Sequence, residues 1–228
     1  MNLRSAVSFI NKNGILLVFP IKNQKEPASL WSQFFPRKKM RWEWDDSADS
    51  GVANLWMLMK KLSDCRQVVY SKWYQGRATF FSRELFGAML RVLQENPGWN
   101  SFGAGPAHLL EILEGNSPLS TKELKLEADL VGKLNEPFYN RSLKPLFARL
   151  QVVAFGEVDD GSFPSLCMGS TQLLFEDVWN DAQKMKLIEA QKLVDRYMPE
   201  GTAFRKYFKK VCADALSADS VRSTSVRI

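Results

Sequence analysis

The central part of the chain carries the pattern that most restricts its fold. Apolar residues at helical spacing over 108–114 end at Gly115-Asn116, and Ser120 with Glu123 three residues later has the form of a capping box, which starts a second helix. A third helix leads to Leu150, and a hairpin follows over 152–168. The order helix, capped helix, helix, hairpin predicts a winged helix-turn-helix.

The third helix of this segment is expected to read DNA. Its apolar residues form one stripe at helical spacing, made of Leu143, Leu146, Phe147 and Leu150. The residues expected to contact DNA are Lys122 on the capped helix and, on the exposed side of the third helix, Asn140, Arg141, Ser142, Lys144 and Arg149. In a winged helix this side enters the major groove, where Arg suits guanine edges and Asn or Ser meets adenine or phosphate oxygens. The alternative is that these charges only keep the helix solvated.

Pro145 limits where this helix can begin. A proline inside a helix costs about 3 kcal/mol, whereas the first turn needs no backbone donor at that position. We therefore expect the helix to start near Ser142 or Leu143, with Pro145 in its first turn.

A second candidate DNA surface lies earlier in the chain, where basic residues alternate with aromatic ones. We expect it to consist of Lys72, Arg77 and Arg83, which lie around Trp73 and Tyr74. Such a mixture can hold phosphates and stack on bases, and the alternative is a buried aromatic strand with exposed charged ends. The turn of the later hairpin, at 157–160, is acidic, so we expect it to be a poor DNA contact.

Length and composition are typical of a folded protein with an anionic partner. Of the 228 residues 45% are hydrophobic, which favours a packed core, and the net charge of +6 favours partners that carry phosphate. We expect a mainly α chain with small β-hairpins, and hence the α+β class. The predicted division of the chain is 1–100 for a mixed region with a degenerate winged helix, 101–170 for the clear winged helix, 171–216 for C-terminal helices and 217–228 for a flexible tail.

The sequence offers no constellation of residues typical of catalysis or metal binding. His108 is the single histidine, and Cys65, Cys167 and Cys212 are far apart, so we expect neither a metal site nor a cofactor. The carboxylates at 43–46 lie beside tryptophans and are expected to be structural. The longest strongly apolar run, 15–19, is far shorter than the roughly 20 residues of a membrane span. We expect a cytoplasmic, nucleoid-associated bacterial protein with no membrane partner.

The chain also resembles a known family. The segments that carry the resemblance are Leu55-Trp56, Arg66, Tyr70, Gly76–Leu85, Leu150–Glu157 and Phe175–Trp179. They are similar to the AlkZ-related winged-helix proteins over most of residues 5–200. The resemblance implies tandem winged-helix units, binding to double-stranded DNA, and kinship with bacterial glycosylases that excise alkylated or cross-linked bases.

Those glycosylases place a water molecule with a Gln-any-Gln or Gln-any-Asp motif. By rough alignment the motif falls on Leu17-Val18-Phe19, which has no amide or carboxylate and cannot orient a water. The first interpretation is therefore a DNA-binding protein linked to repair that lacks the motif. The alternatives are a glycosylase for alkylated bases with a non-standard active site, and a winged helix that binds other proteins.

Overall fold

Helices and short strands alternate along the chain. The structure, a computed structural model, describes residues 1–41, 50–159 and 164–225. In these ranges the helices are α1 (Leu3–Asn13), α2 (Leu30–Phe34), α3 (Ser50–Asp64), α4 (Arg83–Gln94), α5 (Ala104–Gly115), α6 (Thr121–Glu127), α7 (Glu136–Ala148), α8 (Thr171–Leu174), α9 (Glu176–Lys184), α10 (Leu187–Tyr197) and α11 (Ala203–Ser225). The strands are β1 (Ile15–Leu17), β2 (Val68–Tyr74), β3 (Arg77–Ser82), β4 (Leu119–Ser120), β5 (Val152–Val158) and β6 (Ser165–Ser170).

Within the described ranges, the strands form one antiparallel sheet of six strands in the order β1-β3-β2-β5-β6-β4. The α+β class predicted from the sequence is confirmed. The two hairpins are joined edge to edge through the pair Tyr70 and Ala154, which the sequence did not predict. The segment 42–49 and most of the hairpin turn that begins at Asp159, both discussed above, lie outside the described residues.

The two halves of the chain repeat one order of elements. The first half runs α1-β1-α2-α3-β2-β3, and the second runs α5-β4-α6-α7-β5-β6. In the first half β3 pairs with both β1 and β2, and in the second half β6 pairs with both β4 and β5. Each half is followed by a helix that starts right after its last strand, α4 after β3 and α8 after β6.

Buried side chains form three clusters around the sheet. Alternation along β2 places Val69 on one face, against the side chains of α4, α9, α10 and α11, and Val68 and Tyr70 on the other face, against α1 and α3. A third cluster fills the space among α5, α6 and α7. Helices of the second half therefore have a core of their own, and the sheet links it to the first half.

Each half also packs a strand of its hairpin against a helix of the other half. The β2–β3 hairpin of the first half packs on α7, and strand β5 of the second half packs on α3. The tight turn of the first hairpin is Gln75-Gly76, and both residues have positive φ, 53° and 77°. This turn places the end of β2 beside α7, where the candidate interface lies.

None of the helices in the described ranges is long and apolar enough to cross a membrane.

Candidate nucleic-acid interface

Helix α7 presents one buried and one exposed face. The apolar stripe predicted for it is buried, since Leu146 and Leu150 are inaccessible to solvent and Leu143 and Phe147 are nearly so. The expected start of the helix is wrong, because α7 begins at Glu136 with Pro137 in its first turn. Pro145 therefore lies inside the helix, where it removes the backbone donor for the carbonyl of Arg141. Its position in the last turn limits the loss, and its own carbonyl accepts from the N–H of Arg149 at 2.9 Å.

Three of the predicted contacts lie on the exposed face of α7. Asn140, Arg141 and Lys144 are all exposed. They follow one another at helical spacing, so they share one side of the helix with their polar ends directed outward. This face can present two cations and an amide to a phosphate-lined groove.

Ser142 does not belong to that face, and its predicted exposure is wrong. It is buried at the contact of α7 with α5. The approach there is so close that a methyl group added at Gly105 would lie 2.5 Å from the Ser142 hydroxyl oxygen. Ser142 therefore helps to pack the two helices.

Arg149 is also buried, so its predicted role as an exposed contact is wrong. It lies just beyond the last residue of α7, and its Nη1 donates to the carbonyl oxygens of Gly98 at 2.8 Å, Trp99 at 3.2 Å and Ser101 at 2.7 Å. The guanidinium lies over the ring of Phe102, 4.8 Å from its centroid. Burial lowers the pKa of Arg149, and the nearby charge of Asp214 opposes that shift.

A groove of about 410 Å³ runs along α7 and brings together residues from both halves of the chain. Asn140 and Lys144 line one side, and Lys72 and Gln75 of the β2–β3 hairpin line the other. The apolar lining comes from Trp73, Leu143, Phe147 and Met168. Lys72, which the sequence placed on a second surface, thus shares a groove with the candidate contacts of α7.

A second cavity continues this surface toward the C-terminal helix. It has a volume of about 540 Å³ and shares Gln75 and Lys144 with the first groove. Helix α11 adds Tyr207, the exposed Lys210 and the acidic Asp214 to its lining. Lys210 was not among the contacts predicted from the sequence, although the basic pairs on that helix could have indicated it.

Of the remaining predicted contacts, Arg77 and Lys122 are exposed, whereas Arg83 is engaged in packing between helices. Arg77 is exposed on the first hairpin, and Lys122 is exposed on α6. Arg83 belongs to the packing of α4 on α9, because it forms an ion pair with Asp177 and donates to the carbonyl oxygen of Arg66 at 2.7 Å. Arg83 therefore does not line the groove on α7.

The equivalent helix of the first half, α3, meets a surface of opposite charge. Lys60 on α3 lies 3.8 Å from the carboxylates of both Glu157 and Asp159 on the second hairpin. These carboxylates balance a cation of α3, whereas the hairpin beside α7 brings the cations Lys72 and Arg77. The two halves thus have the same order of elements, but the hairpin beside α3 is acidic and the hairpin beside α7 is basic.

Leu17 and Val18, where the resemblance leads us to expect the glycosylase motif, are part of the core. Leu17 belongs to β1 and pairs with Thr79, and both Leu17 and Val18 are fully buried. Across the ranges that the structure covers, no three His, Cys, Asp or Glu side chains are grouped so that they could hold a metal ion.

Comparison with known proteins relates the chain to a family. The model of a family described as AlkZ related matches residues 1–212 of the chain. Neither the curated proteins nor the solved structures gave a match.

Proposed function

The chain belongs to the AlkZ-related family, and from this membership we infer that it binds double-stranded DNA in the service of DNA repair. The observation that carries the proposal is the exposed face of α7. Asn140, Arg141 and Lys144 are exposed on a helix whose opposite face is buried, and Lys72 lines the same groove as Asn140 and Lys144. Arginine suits the O6 and N7 atoms of guanine, asparagine suits adenine, and lysine suits phosphate.

The order of elements supports a tandem winged-helix arrangement. In each half a helix, a short strand, two helices and a hairpin follow one another, which is the order of a winged helix-turn-helix. In this interpretation α3 and α7 are the two recognition helices, and the hairpins β2–β3 and β5–β6 are the two wings. Each wing packs beside the recognition helix of the other half.

Charge favours the second half as the DNA-binding one. The wing beside α3 carries Glu157 and Asp159, whose carboxylates pair with Lys60 and repel phosphate. The wing beside α7 carries Lys72 and Arg77 and ends in an uncharged turn. We therefore place the duplex along α7 and the first wing, with Lys210 of α11 at its margin.

The proposal does not include base excision at the segment that aligns with the glycosylase motif. The side chains of Leu17 and Val18 are buried and apolar, so they offer no oxygen or nitrogen to orient a water at a sugar. A glycosylase with another active site is tested by base release from alkylated duplexes. A winged helix that binds only proteins is tested by the absence of duplex binding at low salt.

The decisive experiment removes two charges from α7. The double variant Arg141→Ala, Lys144→Ala is compared with Lys184→Ala, Lys192→Ala, which removes two exposed cations from α9 and α10. Duplex affinity is measured by fluorescence anisotropy at low salt. We expect the α7 variant to bind at least about tenfold more weakly, because one bidentate base contact is worth about 1–3 kcal/mol. Equal losses in both variants would show that binding depends only on total charge.

A further inference from the structure

Positive charge is concentrated in one stretch of the chain between β1 and α3. Residues 20–41 contain six lysines and arginines and one carboxylate, whereas the whole chain has a net charge of +6. Four of these cations, Lys22, Arg37, Lys39 and Arg41, are exposed. None of the four forms an ion pair with another described residue. They are called the basic loop surface below.

Side chains hold the end of this stretch in place, although residues 38–41 form neither helix nor strand. The side-chain amide of Asn23 donates to the carbonyl oxygen of Met40 at 3.0 Å, and its oxygen accepts from the N–H of Met40 at 2.7 Å. The indole N–H of Trp31 donates to the carbonyl oxygen of Lys38 at 3.0 Å. Because the backbone is already ordered, less conformational entropy is lost when the cations bind a ligand.

The contact with Asn23 also determines where the cations point. One amide can bind the N–H and the C=O of the same residue only if both point the same way, as they do in a strand. Side chains alternate along such a backbone, so Lys39 and Arg41 leave the side opposite to Met40. Met40 is 7% exposed and belongs to the core cluster of α1 and α3, so Lys39 and Arg41 are directed outward. Lys22 precedes Asn23 in the chain and lies beside them.

The basic loop surface is separate from the candidate interface on α7. Residues 20–41 contribute nothing to the lining of the two cavities along that helix. Met40 packs with α1 and α3, whereas the buried face of α7 packs with α5 and α6. A ligand of these cations is therefore held at a second place on the molecule.

Phosphate is the ligand that suits exposed cations on an ordered extended backbone. Alternate residues such as Lys39 and Arg41 are about 6.6 Å apart, a spacing comparable with that of successive phosphates along a DNA strand. We propose that the basic loop surface binds the phosphate backbone of DNA, apart from α7 and without regard to base sequence. This inference rests on the proposed function, since it takes DNA as the source of the phosphates.

The test removes three of the four cations. Arg37→Ala, Lys39→Ala, Arg41→Ala is compared with the matched control Lys184→Ala, Lys186→Ala, Lys192→Ala, which removes three exposed cations on and between α9 and α10. Anisotropy measures the affinity for two duplexes of equal length and different sequence over a range of salt concentrations. We expect the slope of log affinity against log salt to fall by about 2.7 on both duplexes, and low-salt affinity to fall at least about tenfold. The control should bind as the wild type does.

A second variant tests the geometry without changing any charge. Asn23 has a φ of 56°, which glycine adopts readily, so Asn23→Gly keeps the local backbone and releases both bonds to Met40. We expect it to bind duplexes at least about threefold more weakly at low salt, because the cations are no longer held in place. Wild-type affinity in Asn23→Gly would overturn the positioning role of Asn23.

Three results would overturn the proposal as a whole. The first is an unchanged slope in the triple variant, as expected if the carboxylates at 43–46, which lie outside the described residues, neutralise these cations. The second is an equal loss in the control, which would mean that only total charge matters. The third is loss of binding to phosphatidylserine vesicles with unchanged duplex affinity, which would assign the surface to lipid phosphate.

Failure of this inference stays distinct from failure of the proposed function. Duplex binding that depends on Arg141 and Lys144 and is unaffected by the triple variant overturns the basic loop surface alone. Absence of duplex binding by the wild type at low salt overturns the proposed function as well.

Discussion

Arg149 shows how one arginine stabilises the connection between the two halves of the chain. Its guanidinium donates to the carbonyl oxygens of Gly98, Trp99 and Ser101, and its own carbonyl accepts from the indole N–H of Trp99 at 2.9 Å. These residues link α4 to α5, so one side chain fixes the path of the connecting segment. Arg141, only two helical turns earlier, is exposed and has no such role.

We expect Arg149→Ala to lower the free energy of unfolding by about 3 kcal/mol or more, because each hydrogen bond of a charged group contributes about 1.5–3 kcal/mol and buried carbonyls lose their donor. Urea denaturation measures the change. Arg141→Ala is the control and should stay within about 0.5 kcal/mol of the wild type, as exposed substitutions usually do. Equal stability of the two variants would contradict the role given to Arg149.

Among the elements, the turn between α1 and β1 is tightly constrained. Gly14 ends α1 with a φ of +75°, and its carbonyl oxygen accepts from the N–H of Ser82 at 2.8 Å. The ring of Tyr197, on α10, packs so closely that a methyl group at Gly14 would lie 2.4 Å from it. The Tyr197 hydroxyl in turn donates to Glu84 on α4 at 2.6 Å. One glycine thus allows α1, β3 and α10 to meet.

We expect Gly14→Ala to destabilise the protein by more than the roughly 1–2 kcal/mol that a left-handed backbone costs an alanine, because the ring of Tyr197 must also move. Gly201→Ala isolates the backbone cost, since Gly201 has a φ of +84° and no atom within 4 Å of the added methyl group. Thermal or urea denaturation of both variants gives the difference. A Gly14→Ala protein as stable as Gly201→Ala would show that Tyr197 yields without cost.

Local patterns predicted the elements better than their ends. The capping box of Ser120 and Glu123 is present as expected, and Ser82 caps α4. The predicted start of α7 is wrong because two prolines compete for the first turn, and Pro137, not Pro145, occupies it. Strand β4 was not predicted, because two residues have too little pattern and gain their structure from pairing with β6.

At the scale of the whole molecule, the candidate interface is assembled from segments far apart in sequence. Lys72 comes from the first half, Asn140 and Lys144 from the second, and Lys210 from the last helix. The sequence predicted Asn140 and Lys144 on one surface and Lys72 on another, but not that all three line one groove. That arrangement depends on the pairing of β2 with β5 and on the packing of a hairpin against α7, which are contacts between distant segments without a local signal.

The measurement that tests DNA binding most directly is the salt dependence of duplex affinity. For each cation that neutralises a phosphate, the plot of log affinity against log salt concentration steepens by about 0.9. We expect Arg141→Ala, Lys144→Ala to reduce the slope by about 0.9, because Lys144 is the phosphate contact of the pair and Arg141 is placed on a base, and Lys184→Ala, Lys192→Ala to leave it unchanged. A slope that is the same in the wild type and the α7 variant would mean that α7 does not contact DNA, and would contradict the account.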